Sequence, residues 1–394
     1  MGTKRALGHV VRTAIQQSSR RGRVADLFSG MSAIAHELSS RRSVFLNDVM
    51  AFPTIFARAN CLENTRRTPA TLLPEIYPLF KQHRNTLRRD FADRIEEERS
   101  ALTAGGEVLS NWMALAPHVG NSPTYKRMAT YSRTASTYKR FRLTTLYFAS
   151  GYFSTEQAID FDSLRFALEN TRMSQRTAAP IFAVWLATAS RVINSPGHSA
   201  QFLKASSNRA CRRIQSQMSK DVWAAFTELA HDFSPWGSTR WRRGNTVVQG
   251  DALKIISTSI PDDVSVVYAD PPYTKDQYSR FYHLFETLLL YDYPSSSGVG
   301  RYREERYASP FCHVTGVVSA FERLFEGVHH LGVPLVLSYP SDGMLNRVGI
   351  PIRSFVRDHF DNVKVRSVPS SHSTMGGSNG VARKETVEHI FVCK

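Results

Sequence analysis

The chain has 394 residues, 42% hydrophobic and 11% aromatic, which suffices for one large domain or two ordinary ones with packed cores and argues against a disordered chain. Fifty Lys and Arg against thirty-four Asp and Glu give a net charge of +16 and a pI near 9.9, a field that favours a polyanionic partner. Cys61, Cys211, Cys312 and Cys393 form no CxxC pair, which speaks against a disulfide framework and a metal site, and no apolar run approaches the roughly 20 residues of a membrane span. With no apolar signal stretch after Met1, the expectation is a soluble cytoplasmic protein without membrane or metal partners.

In chain order, VADLF (24–28) reads as a buried strand, SGMS (29–32) as a turn, AIAHEL (33–38) as a helix and SVFLND (43–48) as a second strand, a β-α-β unit of the parallel-sheet kind. From about Cys61 to Gly244 the pattern becomes helical and polar, with segments such as FADRIEEERSAL, DSLRFALENTRM and PIFAVWLATASRVI. It is broken by loops at LAPHVGNSPTY and INSPGHSAQ. Strand signals return from Asn245 in NTVVQGD, VSVVYADPPY, VPLVLSYP, VKVRSV and HIFVCK, with the helix VVSAFERLFEGVHH among them. SSSGVG (295–300) and SSHSTMGGSNG (370–380) read as loops. The simplest architecture is one discontinuous α/β domain, residues 1–60 and 245–394, interrupted by a mainly helical insertion, residues 61–244.

Charge is unevenly spread. Between Gly120 and Lys220 fifteen Lys or Arg face four acids, so a quarter of the chain carries +11 of the +16. Phosphate contacts need a broad cationic surface, and this insertion supplies one.

Chemistry concentrates at predicted strand ends. Asp270-Pro271-Pro272-Tyr273 follows the apolar run VSVVYA, and two prolines without an N–H must end the strand there. That leaves Asp270 and Tyr273 at the carboxyl edge, where open α/β sheets bind ligands. Asp26-Leu27-Phe28-Ser29-Gly30 ends the first strand with a glycine-containing turn. Asn47-Asp48 ends the second strand 22 residues after Asp26, where an acid can take ribose hydroxyls. Gly250-Asp251-Ala252 ends a further strand, where an acid could meet an adenine amine.

The set DLFSG, NDV, GDAL and VVYADPPY resembles the DNA adenine-N6 methyltransferases of the DPPY type, the DNA adenine methylase family, with the alpha-group order of cofactor motif, recognition insertion and catalytic motif. Gly2-Thr3-Lys4-Arg5 resembles the family's Lys-bearing N-terminal motif, LVLSYPSDG its late strand, and residues 370–394 its closing hairpin. The likeness covers roughly residues 1–60 and 245–394. It implies a Rossmann-like S-adenosylmethionine-dependent methyltransferase sheet with a helical target-recognition insertion. Lys4, Asp26, Phe28, Ser29, Gly30, Asn47, Asp48, Asp251 and Ala252 then face S-adenosylmethionine, and Asp270, Pro271, Pro272 and Tyr273 form the catalytic motif. The family usually has FxGxG; Ser32 stands here for the second glycine.

The implied reaction is methylation of the N6 amine of an adenine flipped out of duplex DNA. The Asp270 carboxylate and Pro271 carbonyl would polarise the amine while Tyr273 stacks on the base. Candidate DNA contacts are Lys139, Arg140, Arg142, Arg209, Arg212 and Arg213, with Tyr278, Arg280 and Tyr282 from the segment after the catalytic motif. For those last three a partly buried amphipathic helix is an equal alternative, and His283 reads as a packed or capping histidine. Cytosine N4, adenine in RNA and an inactive DNA-binding relative stay open as alternatives. So does the question of whether a cognate restriction endonuclease accompanies the chain.

Overall fold

The computed structural model describes residues 4–63, 67–373 and 383–394. The chain divides into two compact units, Met1–Glu63 with Ser234–Ser279 and Tyr307–Lys394, and Asn64–Phe233 with Arg280–Arg306.

The first unit is built on a seven-stranded sheet. Its strands are β1 (Arg23–Asp26), β2 (Val44–Asp48), β3 (Thr246–Gln249), β4 (Val264–Ala269), β7 (Leu335–Pro340), β8 (Val363–Ser373) and β9 (Arg383–Cys393). A separate two-residue pair, β5 (Ser296–Ser297) and β6 (Tyr302–Arg303), lies in the other unit. The spatial order is β3-β2-β1-β4-β7-β9-β8. Neighbours from β3 through β7 pair in parallel, and β9 runs antiparallel to both β7 and β8. This mixed α/β architecture with a mostly parallel central sheet is consistent with the methyltransferase fold that the motifs imply, and all seven sequence-predicted strands are in it.

The strands β1, β2, β4 and β7 are apolar because both of their faces are covered. Successive side chains alternate between two cores. Val24, Val44, Leu46, Val266, Tyr268 and Val336 pack on one face with Val11, Ile15 and Trp241. Ala25, Phe45, Val267, Ala269, Leu335 and Leu337 pack on the other with Phe321, Leu324 and Phe325 of the helix Val317–Leu331. Each fully buried Leu or Phe contributes roughly 1.5–3 kcal/mol through its burial. The helix Lys4–Ser18, absent from the elements expected of the sequence, presents Val11 and Ile15 to the first of these cores.

The second unit is helical. Serine and threonine side chains start its helices, since the first N–H groups of a helix have no partner within it. Thr68, Ser122, Ser174 and Ser207 each accept from an N–H in the first turn. Ser154 and Gln157 form a reciprocal capping box at the start of the helix Thr155–Asn170. Its core holds the fully buried rings of Tyr147, Phe148, Tyr152, Phe153, Phe161 and Trp185. Asp162 is fully buried and accepts from the N–H groups of Thr144 and Thr145 and from the Thr145 hydroxyl at 2.7–2.9 Å.

Three sequence expectations differ from this structure. The sequence pattern makes residues 245–394 one piece of the α/β domain, whereas Arg280–Arg306 belongs to the helical unit. The reason is burial: Tyr291 donates its hydroxyl to Asp162, Tyr293 donates to the Arg140 carbonyl, and Arg165 donates to the carbonyls of Leu288 and Leu289. SSSGVG, expected as a loop, contributes to the β5–β6 hairpin, pinned where Ser296 faces Arg303 and Ser297 faces Tyr302. Of the tail expected as a loop, residues 370–373 are strand, and 374–380 lie outside the described residues.

Candidate active site and nucleic-acid interface

Four adjacent parallel strands end in acids. Asp26 and Asp48 are the last residues of β1 and β2, Asp251 lies two residues beyond β3, and Asp270 follows β4 directly. Because the sheet order there is β3-β2-β1-β4, these acids form a row along one edge in the order Asp251, Asp48, Asp26, Asp270. β1 and β4 are neighbours although far apart in sequence. The Leu27 N–H donates to the Tyr268 carbonyl at 3.1 Å, so the turn after β1 and the segment Asp270-Pro271-Pro272-Tyr273 after β4 leave the sheet side by side. Such an edge is where open α/β sheets take ligands.

The turns that carry the row are tied to one another. Asn47 is buried, and its amide donates to the Leu27 carbonyl at 2.9 Å and the Gly250 carbonyl at 3.1 Å. The Ser29 N–H donates to the Asn47 carbonyl at 2.9 Å, and the Gly250 N–H to the Asp48 carbonyl at 3.0 Å. Asp48 accepts from the Gly30 and Met50 N–H groups, and Asp26 from the Phe28 N–H at 3.3 Å. Gly30 has φ +47°, and a side chain there would point into open space. Ser32, standing where the family has glycine, has φ 59° and ψ 35°, in the left-handed region that favours glycine.

The residues fit an S-adenosylmethionine ligand. Asn47 Oδ1 is buried with no hydrogen-bond partner among the described residues, while its amide nitrogen is engaged by two carbonyls. A buried orphan acceptor beside acids suits a ligand rich in hydroxyls, amines and positive charge. Phe28 is partly buried and packs edge-on against Phe311 at 5.5 Å. Ala252 is buried and opens the helix Ala252–Thr258, whose N-cap is Asp251. Lys4 opens the N-terminal helix, and its side chain lies outside the described residues.

Pro271 is buried, while Asp270, Pro272 and Tyr273 are part-exposed, and Tyr273 rests against the core that contains Phe311 and Phe321.

The cationic candidates separate into two groups. The helix Asn208–Met218 buries Cys211, Ile214 and Met218 and leaves Arg209, Arg212 and Arg213 exposed on its other side. Arg213 also donates to the Ser195 carbonyl at 2.9 Å. Arg140 is exposed, and part-exposed Lys139 lies over the Tyr131 ring at 5.6 Å. Arg142 is different: it is buried, with Asp90 at 3.6 Å and the Tyr138 ring beneath it, because the aromatic core draws its stem inward. Buried Arg165 likewise pairs with Glu169 and faces the Phe182, Trp185 and Tyr291 rings. Arg280 is exposed over the Tyr302 ring at 5.3 Å, while Tyr278 and Tyr282 are part-buried. Burial raises the Tyr282 hydroxyl above its ordinary range. His283 is fully buried against Tyr152 and Tyr302, and burial lowers its pKa to about 3, the packed histidine expected of it.

Nothing in the sequence singles out Tyr307, yet its hydroxyl donates to Asp251 at 3.0 Å. It lies 56 residues beyond Asp251 without any recognisable spacing, so only the fold reveals the pair.

Comparison with known proteins gives consistent findings. Residues 241–333 match the family model of D12 class N6 adenine-specific DNA methyltransferases, a segment that holds β3, β4 and Asp270-Pro271-Pro272-Tyr273. The chain is 29% identical over 199 residues to the type II methyltransferase M.NlaIII of Neisseria lactamica, covering 50% of this chain and 53% of that one. It is 26% identical over 215 residues to the type II methyltransferase M.FokI of Planomicrobium okeanokoites, covering 53% and 29% respectively. It is 22% identical over 385 residues to the modification methylase LlaI of Lactococcus lactis subsp. lactis, covering 96% and 52%. The chain thus spans at most about half the length of these relatives. These matches bear out the likeness to the adenine-N6 DNA methyltransferases drawn from the motifs. Among the described residues no helix is long and apolar enough to cross a membrane.

Proposed function

We propose that the chain methylates the N6 amine of a specific adenine in duplex DNA, with S-adenosylmethionine as donor. The observation that carries this reading is the acid row at the β3-β2-β1-β4 edge, with Asp270-Pro271-Pro272-Tyr273 leaving β4 beside the turn of β1.

The donor, when bound, supplies an electrophilic methyl group. Asp26, Asp48 and Asp251 would hold it through hydroxyl and amine hydrogens, and Asn47 offers a buried acceptor. The N6 amine is a weak nucleophile because its lone pair is delocalised into the purine ring. The Asp270 carboxylate and the Pro271 carbonyl, both acceptors, would draw its two hydrogens out of the ring plane and free that lone pair. Tyr273 would stack on the extruded base, offsetting part of a flipping cost of about a few kcal/mol. No covalent enzyme intermediate is needed, so orientation and electrostatics carry the rate. The exposed Arg209, Arg212 and Arg213, with Lys139, Arg140 and Arg280, supply phosphate contacts.

The test is transfer of radiolabelled methyl to duplex DNA, single-stranded DNA and RNA, followed by nucleoside analysis. N6-methyladenine in duplex DNA is the expected product. N4-methylcytosine, or label confined to RNA, would overturn the substrate assignment, and no label in any of them would overturn the activity.

A further inference from the structure

Asp251 is held at both of its oxygens. Oδ1 accepts the Leu253 N–H at 2.9 Å as the N-cap of the helix Ala252–Thr258, and Oδ2 accepts the Tyr307 hydroxyl at 3.0 Å. Each carboxylate oxygen has a second lone pair, so these bonds fix the carboxylate's direction without exhausting it. Tyr307 is itself fixed. Ser279 donates its hydroxyl to the Tyr307 carbonyl at 2.7 Å. Nearby, the Gln277 side chain brackets Ser309, accepting its N–H at 2.8 Å and donating to its carbonyl at 3.3 Å. Ser279 and Tyr307 are also the points at which the chain leaves the α/β unit for Arg280–Arg306 and returns to it. Their bond closes that excursion at its base. Burial and the Asp251 charge raise the Tyr307 phenol well above its ordinary range, so it is a donor at any working pH.

We propose that Tyr307 is a positioning residue for the methyl donor: it aims the Asp251 carboxylate so that its remaining lone pairs meet the adenine amine of S-adenosylmethionine. This rests on the functional reading above, in which Asp251 faces the cofactor. A mobile Asp251 would lose rotamer entropy each time the donor binds, and Tyr307 removes that cost beforehand. Tyr307 touches neither the reacting amine nor the methyl group in this arrangement. Its loss therefore acts on donor affinity and leaves the chemical step alone.

The experiment is calorimetric titration of the full chain, without DNA, with S-adenosylmethionine and with S-adenosylhomocysteine, which shares the adenosine and lacks the methyl. Tyr307→Phe should weaken both ligands by roughly tenfold, the scale of one hydrogen bond to a charged group. KM for the donor should rise in parallel while kcat at saturating donor stays within about twofold, a split that a general loss of fold would not produce. Asp251→Asn should weaken binding at least as much, and the double variant should be no weaker than Asp251→Asn alone. Gln277→Ala, which loosens the neighbouring bracket without touching Asp251, should leave the dissociation constant within about twofold. Parental affinity in Tyr307→Phe, or additive losses in the double variant, would overturn the proposal while leaving the functional reading intact. A parental chain that binds neither ligand would overturn the functional reading, and this inference with it.

Discussion

The Gly30 N–H donates to one oxygen of Asp48 at 2.9 Å, and the Met50 N–H donates to the other oxygen at the same distance. One carboxylate therefore holds the turn after β1 against the turn after β2, in addition to the ligand-binding role proposed for it. Asp48→Ala should then do two things. Leaving two part-buried N–H groups without their partner should cost about 2 kcal/mol, read as a lower urea midpoint at unchanged slope. Donor affinity should fall by calorimetry while DNA affinity persists. Unaltered donor affinity in this variant would reduce Asp48 to a purely structural brace.

Ser32 makes an opposite case. It takes φ 59° where the likeness calls for glycine, and its buried hydroxyl has no partner among the described residues. The left-handed conformation costs a residue with a Cβ about 1–2 kcal/mol, and an unpaired hydroxyl adds to that. Glycine offsets part of the gain through the entropy of the unfolded chain. Ser32→Gly should stabilise the protein by about 1 kcal/mol, and a lowered melting temperature would contradict this account.

Legibility differed between strands, tertiary pairings and surface. The central strands β1, β2, β4 and β7 were readable because parallel strands buried on both faces must be runs such as VSVVYA and VPLVLS. Strand ends were readable because prolines and glycines stop ladders. The excursion Arg280–Arg306 was not: its attachment to the helical unit depends on Tyr291 and Tyr293 finding Asp162 and Arg140, partners some 130–150 residues away. Net charge likewise shows how many cations a stretch carries and not which of them reach solvent. Arg142 and Arg165 counted toward the +11 yet lie buried against rings and acids.

That distinction can be tested with paired variants. Reversing Arg212 and Arg213 to Glu should weaken DNA binding and flatten its salt dependence, by roughly 0.9 in log–log slope for each phosphate that is no longer neutralised. Arg142→Ala should leave the slope unchanged and instead destabilise the fold, because it strips Asp90 and Tyr138 of their cation. A salt slope indifferent to Arg212 and Arg213 would mean that the helix Asn208–Met218 turns away from DNA.

His283 sets a pH dependence. Burial lowers its folded-state pKa to about 3, whereas the unfolded chain protonates near the ordinary value of about 6.5. As pH falls below about 6.5 the unfolded state takes up a proton that the folded state refuses. Stability is then lost by up to about 1.4 kcal/mol per pH unit down to the folded-state pKa. His283→Gln keeps a polar partner for Tyr152 and cannot titrate. Relative to the parent, the variant should gain stability steadily from about pH 6.5 to about pH 4. The raised pKa of Asp160, about 6, acts in the opposite sense but is common to both proteins and cancels in the comparison. Parallel pH profiles would show that His283 takes up its proton inside the fold as readily as in the unfolded chain.

The chemical step gives the most direct prediction. Asp270→Ala should abolish methyl transfer while leaving the sheet and most DNA affinity in place, because Asp270 follows β4 and lies outside its ladder. In the proposed mechanism its interaction with the amine would strengthen as the nitrogen pyramidalises, so the loss would belong to the transition state and should appear in kcat. Removing one such electrostatic partner costs about 10²–10³ in rate elsewhere, and more is expected here because the same group orients the base. Asp270→Asn retains a carbonyl acceptor without the charge, so it should fall between parent and alanine. Tyr273→Phe should keep substantial activity, since stacking needs the ring, whereas Tyr273→Ala should be severely impaired. The measurement is single-turnover transfer on bound DNA at saturating donor. If Asp270→Ala methylates adenine near the parental rate, Asp270-Pro271-Pro272-Tyr273 only terminates a strand, and the reaction belongs to a different part of the acid row.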